Sequence, residues 1–152
     1  MSFTNPVELH LAGLSTELSM LVGATLLGLL QLFVAARMGN GQRGLKWNVG
    51  ARDEAAKPVG KVAGRLERAF RNFMETYPFF AAAVIVAALA GRHDWATVWG
   101  SEIYLAGRIV YVPLYGFGVP VIRTLVWLVA TLALLLIAVA IVWPGIWTIS
   151  RP

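Results

Sequence analysis

The chain has 152 residues, 58% of them hydrophobic and 14% charged, with a net charge of +5 and a mean hydropathy of +0.68. That is far more apolar than a soluble domain of this length, so the composition excludes that class and points to an integral membrane protein. With no cysteine, a disulfide framework and a thiolate metal site are excluded as well, and any thiol chemistry must use a thiol brought by a ligand.

A bilayer core of about 30 Å takes about 20 helical residues to cross. Segments of that kind are Leu18 to Ala36, Phe70 to Ala90, Thr97 to Tyr115 and Val121 to Trp143. The predicted fold is all-α, an integral membrane four-helix bundle, with residues 1–152 forming one domain. The first span lacks the charged start and small-residue cleavage site of a signal peptide, and Glu8 and Glu17 precede it, so it is expected to persist in the mature protein.

Between the first two spans lies a basic loop, residues 38–64. In and around it Arg37, Arg43, Lys46, Arg52, Lys57, Lys61 and Arg65 outnumber Asp53, Glu54 and Glu67. Positive loops stay cytoplasmic, which places both termini on the opposite side. The plain reading of the loop is a topology signal with some attraction for anionic membrane lipids. No soluble domain accompanies it, which weighs against nucleic acid as a partner. Its glycines mark turns and close backbone approaches, or simple flexibility.

The connections Gly91 to Trp95 and Gly116 to Pro120 are short, so spans two and three, and three and four, should pack as antiparallel neighbours. Trp95, Trp99, Trp143 and Trp147 fall at the span ends assigned to the non-cytoplasmic side, where indoles favour the headgroup level.

The second span opens with charge. Arg68, Arg71, Asn72 and Glu75 share one side of a helix, with Arg71 and Glu75 spaced for an ion pair. Pro78 should kink the helix by clashing with the Met74 carbonyl. On the third span Tyr104, Arg108, Tyr111 and Tyr115 form a second stripe. An ionised group near the bilayer centre costs about 2.5 to 3.5 kcal/mol, so Arg108 should meet a carboxylate, with Glu75 the first choice. These groups either hold helices together or form a functional site, whereas Glu102 reads as structural. The fourth span opens with Pro120, Arg123 and Thr124, whose cation, hydroxyl and free helix-start amides would together receive an anion.

The string Arg-Ala-Phe-Arg-Asn-Phe-Met-Glu-Thr-Tyr-Pro from Arg68 to Pro78, then Gly107-Arg108 with Tyr115, then Pro120-Val-Ile-Arg-Thr124, resembles the MAPEG family, the membrane-associated proteins of eicosanoid and glutathione metabolism. The resemblance covers roughly residues 15–143. It implies a homotrimer of four-helix subunits with glutathione, as bound cosubstrate, between neighbouring subunits near the cytoplasmic face. Carried over by position, Arg71, Asn72, Glu75, Arg108 and Tyr115 match glutathione-binding positions, and Arg123 matches the arginine beside the thiol. Arg37 matches an arginine contributed by the adjacent subunit, and Thr124 stands where the prostaglandin E synthase branch has serine. Tyr111 replaces a histidine of that branch and Trp127 a tyrosine, departures that weigh against prostaglandin-synthase activity while keeping both at the site. The Gly44 to Asp53 segment looks more like a bacterial branch, which implies a bacterial inner membrane.

The expected function is that of a glutathione transferase or peroxidase. Arg123 and Thr124 would activate the glutathione thiol, and a lipophilic electrophile or hydroperoxide would arrive from the bilayer. The rival is a transporter-like protein or non-catalytic scaffold that binds glutathione or a lipid headgroup. A haem bundle would need histidines within the spans, and His10 and His93 lie outside them; no metal site is expected.

Overall fold

The computed structural model describes residues 13–51, 53 and 55–143; Glu8, His10, Arg52, Glu54 and Trp147 lie outside the described residues. Its elements are α1 (Thr16–Arg43), α2 (Leu45–Val49), α3 (Lys61–Leu89), α4 (Trp95–Phe117) and α5 (Pro120–Val142). No strand occurs among the described residues, and the all-α reading holds.

Local signals account for the helix ends. Ser15 accepts a hydrogen bond from the Leu18 amide and starts α1, with Glu17 in the first turn where the helix dipole favours an anion. Asp94 caps α4 in a reciprocal capping box with Thr97. Gly118, at φ 79°, ends α4 in the left-handed conformation, and Pro120 opens α5 in the first turn, where its missing amide proton costs nothing.

The basic loop is shorter and more ordered than hydropathy implied. Helix α1 runs seven residues beyond Ala36 to Arg43, α2 occupies Leu45–Val49, and α3 begins at Lys61, nine residues before Phe70. Arg43 and Glu67 join the two long helices here in a bidentate pair of 2.7 and 3.0 Å. Gln42 accepts the Gly60 amide proton at 2.5 Å, which fixes the start of α3.

Helices α3 and α4 are central: each touches both α1 and α5, while α1 and α5 do not meet. The α4–α5 interface is the most extensive, because the two helices approach closely at Gly100 and Gly107. A Cβ at Gly100 would lie 2.5 Å from Ile137 Cγ1, and one at Gly107 would lie 3.0 Å from Ala130 Cβ. Small residues of this kind let helices pack closely in a bilayer, where no hydrophobic effect drives them together. Phe73, Phe80, Val84, Tyr104, Ala133 and Ile137 fill the core, with the Phe80 and Tyr104 rings stacked at 4.0 Å.

Three helices, α1, α3 and α5, are long and apolar enough to cross a membrane. Helix α4 is long enough at 23 residues but carries Glu102, Arg108 and three tyrosines, which dilute its apolar character. Its polar side chains turn inward: Thr97, Ser101, Tyr104 and Arg108 are buried, while Ile103, Ile109, Val110 and Phe117 are exposed. A helix patterned in this way suits the interior of a membrane bundle, and polar content alone hides it from a hydropathy criterion.

Candidate functional site

Asn72 and Thr76 lie one turn apart on the face of α3 that meets α4. Arg108, only 1% exposed, projects from α4 between them. Its Nη1 donates to Asn72 Oδ1 at 2.9 Å and its Nη2 donates to Thr76 Oγ1. Thr76 Oγ1 also lies 3.0 Å from the Tyr104 hydroxyl. The guanidinium sits 5.3 Å from the Tyr104 ring centroid and 5.7 Å from that of Tyr111, within cation–π range. Its Nε is buried without a partner.

This arrangement corrects the expected Glu75–Arg108 pair. Glu75 reaches Arg108 only through Asn72, whose Nδ2 donates to Glu75 Oε2 at 3.1 Å. The reason is angular: with 100° per residue, Asn72 and Thr76 are 40° apart, whereas Glu75 is turned about 60° away from Asn72 and is exposed. Neutral oxygens and aromatic faces therefore receive the buried cation. The carboxylate remains free on its outer side.

The third-span stripe continues toward α5. The Tyr111 and Tyr115 rings meet edge to face at 5.5 Å, and Arg123 Cζ stands 4.2 Å over the Tyr115 ring. Arg123 and Thr124 occupy the first turn of α5, where no side chain caps the free amides. The Thr124 hydroxyl donates back to the Pro120 carbonyl at 3.0 Å. One turn beyond Arg123, the Trp127 indole Nε1 is buried with no partner.

Asn72, Glu75, Arg108, Tyr111, Tyr115 and Arg123 thus form one continuous band across α3, α4 and α5, with Thr124 and Trp127 at its end. Arg71 is not part of it. Together with Leu32, Ala35, Arg43 and Glu67 it lines a separate open groove between α3 and α1, exposed and without an ion pair to Glu75. Arg68 and Arg37, the latter on α1, are exposed too. Thr76 was missed from the sequence although the spacing Asn72 to Thr76 carries the signal: two short polar residues one turn apart in an otherwise apolar run.

A family model describing the MAPEG family matches residues 20–143. The chain belongs to the MAPEG family. The match runs through all four long helices, so every residue of the polar band falls inside the MAPEG region. A search among curated proteins finds no match. MAPEG proteins are helical membrane bundles, and this one uses the inward polar stripe of α4 to join α3 to α5.

Proposed function

We propose that the protein is a membrane-bound, glutathione-dependent transferase or peroxidase that activates the glutathione thiol toward a lipophilic electrophile or hydroperoxide. The observation that carries this reading is Arg123 stacked over Tyr115 at 4.2 Å beside the uncapped start of α5. A thiol with an ordinary pKa of about 8.5 is mostly protonated at neutral pH, and a fixed cation beside helix-start amides lowers that value. Stacking on Tyr115 holds the cation in place before the ligand arrives.

Glutathione carries two carboxylates and an ammonium, and the band offers complementary groups. The free outer side of Glu75 suits the ammonium, and Arg71, exposed in the groove beside the band, suits a carboxylate, while the buried Arg108 holds Asn72 and Thr76 in place behind them. Tyr111 and Tyr115 wall the middle, and the partly exposed Trp127 ring would wall the end where the second substrate arrives. In a homotrimer, the exposed Arg37 would serve the site of a neighbouring copy. The basic segment around α2 would face the cytoplasm of a bacterial inner membrane, where glutathione is dissolved.

One observation favours a second reading, a catalytically silent member that binds glutathione or a lipid headgroup. Thr124 spends its hydroxyl proton on the Pro120 carbonyl and so gives none to sulfur. Ultraviolet difference absorbance of the purified protein, titrated with glutathione, separates the two. The enzyme reading expects a thiolate band that Arg123→Ala abolishes in a folded protein. Binding without the band supports the silent reading, and no binding at millimolar glutathione removes both glutathione assignments.

A further inference from the structure

In the sequence Arg65 is one more charge around the basic loop. In the structure its half-buried side chain crosses from the start of α3 to the turn between α4 and α5, where Nη1 donates to the Gly116 carbonyl oxygen at 3.3 Å. The guanidinium also lies against Gly118. A Cβ at Gly118 would stand 2.5 Å from Arg65 Cζ, 2.7 Å from Nη1 and 2.6 Å from Nη2, near-equal distances that turn the guanidinium plane toward the glycine. Gly118 therefore serves twice: its φ of 79° is left-handed, and its missing side chain leaves room for the cation.

The end of α4 uses that cation. The last four carbonyls of a helix have no intrahelical donor. Leu114 O accepts from the Gly118 and Val119 amides, Tyr115 O accepts from the Gly118 amide, and Gly116 O accepts from Arg65. The last turn of α4 holds no basic residue of its own, so α3 supplies positive charge to its negative end.

The base from which Arg65 reaches is itself fixed. Gln42 holds the Gly60 amide at the start of α3, and Glu67, two residues beyond Arg65, pairs with Arg43 of α1. On the other side of the contact stand two residues of the polar band. Tyr115 directly precedes Gly116, and Arg123 lies in the first turn of α5, five residues after Gly118. Gly100 and Gly107 set how far apart α4 and α5 lie, whereas the turn sets how α5 enters their interface.

We propose that Arg65 is a positioning residue, which clamps the α4–α5 turn and so holds the Arg123 guanidinium over the Tyr115 ring before a ligand binds. Its consequence for thiol activation rests on the role proposed above for Arg123, while the clamp itself is a property of the ligand-free chain. Arg65 acts through Arg123 and not on the thiol.

The test takes two readouts from the full-length protein in detergent micelles. The first needs no glutathione. In a spectrum of protein labelled with nitrogen-15 arginine, the Arg123 Nε–H proton, identified by its loss in Arg123→Lys, should carry a ring-current shift that Tyr115→Leu removes. Arg65→Met should remove that shift as well. The second readout is the pH dependence of the glutathione thiolate band. Loss of one charge-assisted contact corresponds to about tenfold, so Arg65→Met should move the midpoint up by about one pH unit while glutathione affinity, carried by Glu75 and Arg71, stays unchanged. Gly118→Ala keeps every charge but puts a methyl group where the guanidinium lies, and should act in the same direction. Arg65→Lys, which keeps the charge without the planar fork and introduces no backbone strain, should resemble Arg65→Met.

An Arg123 ring-current shift retained in Arg65→Met overturns the proposal. So does a thiolate midpoint that stays in place when that shift is lost, or a wild-type midpoint in Arg65→Lys, since charge alone would then suffice. A wild-type protein that forms no thiolate, but whose Arg123 shift still disappears in Arg65→Met, supports the clamp and removes the enzyme reading instead.

Discussion

Asn72 accepts a hydrogen bond from the Arg108 guanidinium at 2.9 Å and donates one to Glu75 at 3.1 Å, so a neutral side chain stands between the buried cation and the Glu75 carboxylate. The guanidinium is held by α3 without a direct ion pair. Removing Asn72 strands a charged donor inside the bundle, and a hydrogen bond to a charged group contributes about 1.5 to 3 kcal/mol. Asn72→Leu should therefore lower stability by about that amount in wild type and by much less in an Arg108→Met background. Unfolding of the two single variants and the double variant in mixed detergent micelles measures the coupling. Equal costs in both backgrounds would show that Asn72 supports the fold by packing alone.

Much of the fold was legible from hydropathy, and the failures have a common physical cause. The predicted start of the fourth span at Val121 and the end of the second at Ala90 each fall within one residue of the helix bounds, because apolar runs end where helices leave the bilayer. The early start of α3 at Lys61 was invisible because helices continue into water on polar residues, where an Arg43–Glu67 pair and a Gln42 contact to Gly60 hold them. The partner of Arg108 was misread for a different reason. Charge matching selects Glu75, but a helix face is chosen by angle, and Asn72 and Thr76 lie on the face that meets α4.

Glu75 and Arg71 are exposed in the single chain, and neither ion-pairs with the other. Surface substitutions of this kind change stability by no more than about 0.5 kcal/mol. Glu75→Gln and Arg71→Ala should thus leave the unfolding midpoint nearly unchanged while weakening glutathione binding by about tenfold, the loss of one charge-assisted contact. Isothermal titration beside thermal unfolding separates the effects. A large loss of stability in either variant would assign these charges to holding the assembly together.

Trp127 presents a buried indole N–H with no acceptor. An unsatisfied buried donor costs about 1 to 3 kcal/mol, so Trp127→Phe, which deletes the donor and keeps most of the ring, should not destabilise the protein by that mechanism. Because the N–H is buried and the ring is kept, the same variant should also leave kcat/KM for the second substrate and glutathione affinity intact. Turnover with a model hydroperoxide or aryl halide, measured at saturating glutathione, gives the answer. A lower kcat/KM would show that the N–H reaches an oxygen of the second substrate.

The position of Arg123 over Tyr115 depends on how closely α4 and α5 approach, and Gly100 and Gly107 set that distance. At Gly100 an added methyl group would meet Ile137 Cγ1 at 2.5 Å and the Ala133 carbonyl at 3.0 Å, and the backbone oxygen cannot give way by a rotamer change. At Gly107 the nearest contact is Ala130 Cβ at 3.0 Å, which needs a shift of only a few tenths of an ångström. Alanine favours a helix over glycine by about 1 kcal/mol, while overpacking a filled interface costs about 1 to 3 kcal/mol. Gly100→Ala should therefore be net destabilising and Gly107→Ala close to neutral, as measured by unfolding in detergent. Since Gly100→Ala pushes α5 away from α4, it should also reduce thiolate formation although it lies two turns from Arg108. Normal thiolate formation in a destabilised Gly100→Ala protein would show that the Tyr115–Arg123 contact is set locally, by the short connection through Gly118, and not by the packing of the two helices.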